Sequence, residues 1–170
     1  PRTLLNLIDK NEYLKIVSDL YISNGFEFYL VGGAVRDGIL DIDTKDFDFT
    51  TNATPEDSIS LLNSNGYKTT EIGREFGTIE LQIDDNSVHI TTYRKDTYEN
   101  SSRNPSIESA ADLNTDLSRR DFTINSIAYS IGKNELVDPF LGLKDLASGT
   151  IKTPDLSLIH ISEPTRRYEI

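Results

Sequence analysis

The chain has 170 residues, 28 of them Asp or Glu and 17 Lys or Arg, for a formal net charge of −11. That length, with 36% hydrophobic residues, suits one globular core, and the acidic balance argues against an RNA grip built from this stretch alone, because phosphate backbones need Lys and Arg. The absence of cysteine excludes disulfides and thiolate zinc sites and is compatible with a reducing cytoplasm; no apolar run is long enough for a membrane span and no signal peptide is visible.

In chain order, Leu4 to Tyr21 reads as a helical stretch closed by Asn24-Gly25. Phe26 to Val31 is aromatic and β-branched, a strand. Gly32 and Gly33 then let the backbone turn sharply and approach a ligand with no Cβ in the way. Ala34 to Leu40 reads as a short helix whose free N–H groups face whatever lies over the glycines. Arg36 in its first turn offers a charge-assisted fork to a phosphate.

Asp46-Phe47-Asp48-Phe49 predicts a second strand with both carboxylates on one face and both rings on the other. Two residues of strand advance ~6.6 Å, so carboxylates held there repel one another unless a cation lies between them. Magnesium takes a few carboxylates together with substrate phosphate oxygens and water. A strand, a glycine turn, an arginine-bearing helix start and a carboxylate strand, in this order, point to a nucleoside triphosphate site with its Mg²⁺ ligands.

Thr54-Pro55-Glu56-Asp57 is a capped helix start, and that helix ends at Asn65-Gly66. Tyr67 to Glu71 is a short strand, and Gly77 to Ile83 with Ser87 to Arg94 form a hairpin about Asp84-Asp85-Asn86. Lys95 to Asn114 is polar and aperiodic and reads as a mobile loop. Asp121 is placed to N-cap a helix with Ile124, Ile127, Ala128 and Ile131 on one face. Arg119 and Arg120 would then precede a helix N-terminus, which suits an anion site and compensates the dipole poorly. Glu135 to Val137 is a last short strand and Gly142 to Ala147 a helical turn.

These motifs resemble the catalytic head of the tRNA nucleotidyltransferases (CCA-adding enzymes) and their bacterial poly(A) polymerase relatives, within the polymerase-β-like nucleotidyltransferase superfamily. The residues that carry the resemblance are 31–37, Lys45 to Thr51, Phe76-Gly77-Thr78, Ile90 to Arg94, Asp116 to Asn125 and Val137 to Gly142. It runs from about Phe26 to Asp155, and Arg119-Arg120-Asp121-Phe122-Thr123 is its most specific part. It implies an α/β (α+β) head with a mixed, mostly antiparallel sheet flanked by helices. It further implies metal-binding catalytic carboxylates at Asp46 and Asp48, and nucleotide contacts from Gly32, Gly33, Arg36, Arg120 and Asp121. The implied reaction of the intact enzyme is Mg²⁺-dependent transfer of CMP and AMP from CTP and ATP to a tRNA 3′ end, with pyrophosphate release. Poly(A) addition to RNA 3′ ends is the alternative, and a nucleotide-binding fragment without turnover is another.

One position departs from the family pattern: an acidic residue often precedes the Ile90-Thr91-Thr92 segment, and here His89 stands there. His89 is read as a strand residue packed or hydrogen-bonded at the sheet, and Asp116 and Glu80 as substitutes for a third carboxylate. Residues 1–155 are expected to be the head of a longer gene product whose remaining domains hold tRNA. Residues 156–170 are expected to be a non-native tail, because Leu156 to Arg166 resembles a translated sequencing adapter; the second histidine, His160, falls there.

Overall fold

Strict alternation of ring and carboxylate decides the centre of the sheet. In the computed structural model, which describes residues 2–72, 77–97, 106–109 and 112–154, Phe47 and Phe49 are fully buried while Asp46 and Asp48 face outward from the same strand. That strand, β2 (Asp46–Thr51), lies fourth in a seven-stranded sheet. Its antiparallel neighbour is β1 (Phe28–Val31) and its parallel neighbour is β5 (Asn86–Thr92). β3 (Thr69–Ile72) and β4 (Thr78–Ile83) continue one side. On the other side stand β8 (Ala128–Ser130) and β9 (Glu135–Val137), both antiparallel. A separate two-stranded arm pairs β6 (Arg94–Thr97) with β7 (Ser106–Ser109). The sheet is therefore mixed and mostly antiparallel, as expected.

Helices α1 (Arg2–Lys10), α2 (Glu12–Ser23) and α4 (Pro55–Ser64) cover the face that carries Phe47 and Phe49. Tyr21 of α2 stacks on Phe28 at 4.2 Å, and Phe28 stacks on Phe49 at 4.5 Å, so one column of rings ties helix to sheet. The α4 start forms as its sequence predicts: Thr54 and Asp57 cap each other reciprocally, with Pro55 in the first turn. α3 (Gly33–Ile39) crosses from β1 toward β2, and α5 (Leu113–Ser118) lies over the opposite face with Val31, Tyr93 and Ala128. Helix α6 (Gly142–Ala147) closes the described chain.

Three expectations are corrected. The stretch Leu4 to Tyr21 is two helices, because Asn11 leaves helical geometry and its side-chain amide donates to the Leu7 carbonyl at 2.8 Å. Lys95 to Asn114 is not one loop: its described residues include β6, β7 and the start of α5, where the Asp112 carboxylate accepts from the Thr115 N–H at 2.8 Å. The helix expected after Asp121 is a single 3₁₀ turn, Thr123–Asn125, followed by β8. Ala128 and Tyr129 are fully buried between two neighbouring strands, with Ile127 fully buried just before them, and an apolar run buried on both sides cannot be told from a buried helix by its pattern. Phe76, Asp155 and the tail 156–170 lie outside the described residues. Among those described, no helix is long and apolar enough to cross a membrane.

Candidate active site

The site begins at the end of β1. Gly32 has φ +71° and ψ −143°, a conformation open in practice to glycine alone. A Cβ there would lie 3.4 Å from Arg120 Nη1 and 3.8 Å from Asp48 Oδ2. The glycine thus sits at the meeting point of the outward carboxylate of β2 and a guanidinium 88 positions away in the chain. Arg36 folds back over the next residue, its Nη2 3.5 Å from the place a Gly33 Cβ would take. Its Nε donates to Asp37 Oδ1 at 2.8 Å, and its Nη1 donates to Asn125 Oδ1 at 2.8 Å. Asn125 in turn donates to Asp121 Oδ1 at 3.0 Å. Arg36, Asn125 and Asp121 therefore form one chain that binds α3 to the turn after the arginine pair.

Arg119 and Arg120 do not precede a helix N-terminus as expected. They follow α5, with Arg119 at its C-cap, where positive charge complements the macrodipole. What orders them is Asp116, fully buried on α5. Its carboxylate accepts from Thr50 Oγ1 at 3.1 Å, the Arg94 N–H at 3.1 Å, Arg119 Nε at 3.3 Å and Arg120 Nη2 at 3.3 Å. Every lone pair of that carboxylate is engaged with protein, so Asp116 serves the arginines and is unsuited to be a third metal ligand. Burial pushes the Arg120 pKa down, and Asp116 beside it pulls the other way. Arg120 Nε is buried with no hydrogen-bond partner.

The carboxylates stand where the strand pattern puts them. Asp46 and Asp48 are both exposed on the face of β2 opposite the ring column. Register continues the Asp48 row outward to His89 on β5 and Glu80 on β4. His89 Nδ1 lies 3.3 Å from Asp48 Oδ1, and its Nε2 is 3.3 Å from Ser87 Oγ and 3.8 Å from Glu80 Oε1. His89 is thus a hydrogen-bonded strand residue, as expected. Among the described residues no three His, Asp or Glu side chains converge into a ready-made cation cage. The two exposed carboxylates fit a divalent cation whose remaining ligands come from water and a bound phosphate chain.

Of the residues of this site, the sequence leaves Asn125 unassigned and offers Asp116 only as a substitute for a third carboxylate. Asn125 stands inside the arginine motif without a sequence signal for its bridging role. Asp116 carries one, three residues before Arg119 and four before Arg120, the spacing at which helical side chains meet.

A family model described as the Poly A polymerase head domain matches residues 28–152. The chain belongs to that family. The poly(A) polymerase head thus spans β1 through α6 and contains every site residue named above. The chain is 37% identical over 145 residues to a CCA-adding enzyme of Staphylococcus aureus (strain MRSA252), covering 85% of this chain and 35% of that one. Among solved structures, the Bacillus stearothermophilus CCA-adding enzyme in complex with CTP matches with a TM-score of 0.69 at 31% identity, over 81% of this chain and 32% of that one. A tRNA nucleotidyltransferase complexed with a primer tRNA and an incoming ATP analog matches with a TM-score of 0.67 at 33% identity, over 85% and 40% respectively. The head therefore spans about a third of the length of the curated relatives it matches. Its family consists of nucleotidyltransferases, which generally depend on a divalent metal.

Proposed function

We propose that this chain is the catalytic head of an enzyme that transfers CMP and AMP from CTP and ATP to a tRNA 3′ end, releasing pyrophosphate. The observation that carries this reading is the convergence at Gly32 of Asp48 from β2 and the buried Arg120 from the segment after α5. Asp46 and Asp48 would hold Mg²⁺. When bound, the ion supplies charge neutralisation at the reacting phosphate and the leaving pyrophosphate.

The protein's own part is to bind and align. The Gly32 turn lets phosphates approach the backbone with no side chain between. Arg120, its Nε unpartnered and its fork held by Asp116, offers charge-assisted donors to the triphosphate. Arg36 is locked in plane by Asp37 and Asn125 and places a second guanidinium at the start of α3. The 3′-hydroxyl of the RNA gives up its proton to solvent as its oxygen bonds to the α-phosphorus, the bond from that phosphorus to the bridging oxygen breaks, and pyrophosphate leaves with the electron pair. Preorganised charge of this kind lowers a barrier without reorganising during the reaction. The net charge of −11 leaves most of the RNA grip to segments outside this chain.

The test is a chimera in which this head replaces the matching region of the Staphylococcus aureus enzyme, assayed with radiolabelled CTP and ATP on tRNA lacking its 3′ end. Ordered addition is expected, and Asp48→Asn or Asp46→Asn should cost about 100-fold or more in rate. Turnover unchanged in either variant overturns the assignment of the carboxylates. A run of A alone on RNA would move the reading to poly(A) addition.

A further inference from the structure

The two sides of Asp48 differ in chemistry. Toward β1 lie Gly32, Arg36 and Arg120, the groups that take the triphosphate under the proposed function. Toward β5 the sheet continues as an open polar strip. Register sets Ser87, His89 and Thr91 of β5 beside Asp46, Asp48 and Thr50, and Gln82, Glu80 and Thr78 of β4 beside those three. None of the six on β5 and β4 is buried, whereas Leu81 and Val88, which point the other way, are fully so. β4 and β5 contain no Lys or Arg, so the strip offers hydrogen bonds and no cation to hold a phosphate.

The geometry of phosphoryl transfer decides what lies over it. The attacking and leaving oxygens stand roughly in line through the phosphorus. With pyrophosphate leaving on the β1 side, the 3′-hydroxyl arrives over β5 and its own nucleoside reaches toward β4. Neighbouring strands are ~4.8 Å apart, so β4 is ~10 Å from the Asp48 strand, the reach of one nucleoside. One group there is set to read a base. Ser87 Oγ donates to Glu80 Oε1 at 3.0 Å and fixes that side chain, while Glu80 Oε2 makes no hydrogen bond among the described residues. A carboxylate accepts from the N4 amino group of cytosine and repels the O4 acceptor that uracil has in its place. Under the proposed reaction the RNA ends in cytidine as soon as a first CMP is joined.

We propose that the β5–β4 strip is the subsite for the last nucleoside of the acceptor RNA, and that Glu80 selects cytosine there through Oε2. The inference rests on the proposed function and adds a specificity residue for its acceptor.

The experiment follows the backbone amides of the 170-residue chain by NMR. The chain is titrated with Mg²⁺ and α,β-methylene-ATP, and then with the dinucleotide CpC or CpU. The analogue is expected to shift Gly32, Gly33 and Arg120. CpC is expected to shift the residues of β4 and β5 and to bind about five- to tenfold tighter than CpU. Glu80→Gln keeps an oxygen for Ser87 and gains an amide that can donate to uracil O4, so it should abolish that preference and leave the analogue's affinity unchanged. In the chimera the same variant should raise the KM for tRNA ending in cytidine about fivefold or more, with kcat and the KM for CTP unmoved. If the analogue shifts appear but CpC at millimolar concentration leaves β4 and β5 unshifted, or Glu80→Gln keeps the full preference, the subsite is wrong and the proposed function stands. A rise in the KM for CTP in place of that for tRNA would assign the strip to the incoming nucleotide and overturn the inference. If the analogue shifts neither Gly32 nor Arg120, the triphosphate reading fails and the inference with it.

Discussion

At the scale of single residues, Gly32 and Asp116 decide whether the site exists. Gly32 occupies a backbone region closed to side chains, and a methyl added there would touch Arg120 Nη1 and Asp48 Oδ2. Gly32→Ala is expected to cost ~1–3 kcal/mol of stability and to weaken triphosphate binding together with it. Gly33→Ala, whose Cβ would meet only Arg36 at ordinary contact distance, should change stability by under ~1 kcal/mol, the size of the helix-propensity difference between Gly and Ala. Paired thermal melts and calorimetric titrations with ATP check both, and equal losses in the two variants would contradict the geometry. Asp116 accepts from Arg119 Nε and Arg120 Nη2 while being fully buried itself. Removing one partner of a buried ion pair strands the other, so Asp116→Ala should destabilise the head by ~3–5 kcal/mol. Asp116→Asn keeps an acceptor oxygen and should lose less. A urea midpoint series distinguishes them.

Among elements, the least expected is the segment from α5 to α6, in which a predicted helix is a single turn and a buried strand. Its place is held from beneath by α6. The Asp138 carboxylate accepts from the Gly142 and Leu143 N–H groups at 2.7 and 2.9 Å, fixing the start of α6. Thr123 Oγ1 donates to Asp145 at 2.7 Å, and a Cβ on Gly142 would fall 2.2 Å from the Thr123 carbonyl oxygen. The Val137-Asp138-Pro139-Phe140-Leu141-Gly142 motif is thereby a buttress for the turn carrying Asn125. Gly142→Ala must shift that turn away from α6 and so disturb its contact with α3. The expected result is a loss of ~1–3 kcal/mol, typical of overpacking, and weaker ATP binding through the broken Arg36–Asn125 contact. If Gly142→Ala melted lower but bound ATP as tightly as the parent, the turn would be independent of the site.

Across the whole molecule, the two faces of the sheet do different work. One is packed by the column Tyr21–Phe28–Phe49 and the helices above it; the other carries the carboxylates, His89 and the arginine segment. Burial in the packed face pushes the Tyr21 phenol up to about 12 from 10.0. The fold therefore favours its protonated form. The corresponding stability is fully present below pH 10 and is lost as pH rises through about 12. Chemical denaturation at stepped pH should show stability falling across that window, and Tyr21→Phe should flatten the fall. A Tyr21→Phe profile as steep as the parent's would place the alkaline sensitivity elsewhere.

Local pattern determined the parts that rest on neighbours in sequence: the ring–carboxylate alternation of β2, the Gly32 turn, the Thr54–Asp57 cap and the β4–β5 hairpin. Each is decided within a few residues, where the two-residue period of a strand or the reach of a capping side chain is the whole argument. Tertiary structure decided the rest. Ala128–Ser130 became a strand because strands on both sides bury it, information absent from an apolar run read alone. Asp116 became the anchor of two arginines, rather than a metal ligand, because α5 brings it under Thr50 and the Arg94 amide. His89 came to face Asp48 because β2 and β5 pair in parallel across 41 positions of chain, and only that pairing sets an imidazole nitrogen 3.3 Å from a carboxylate.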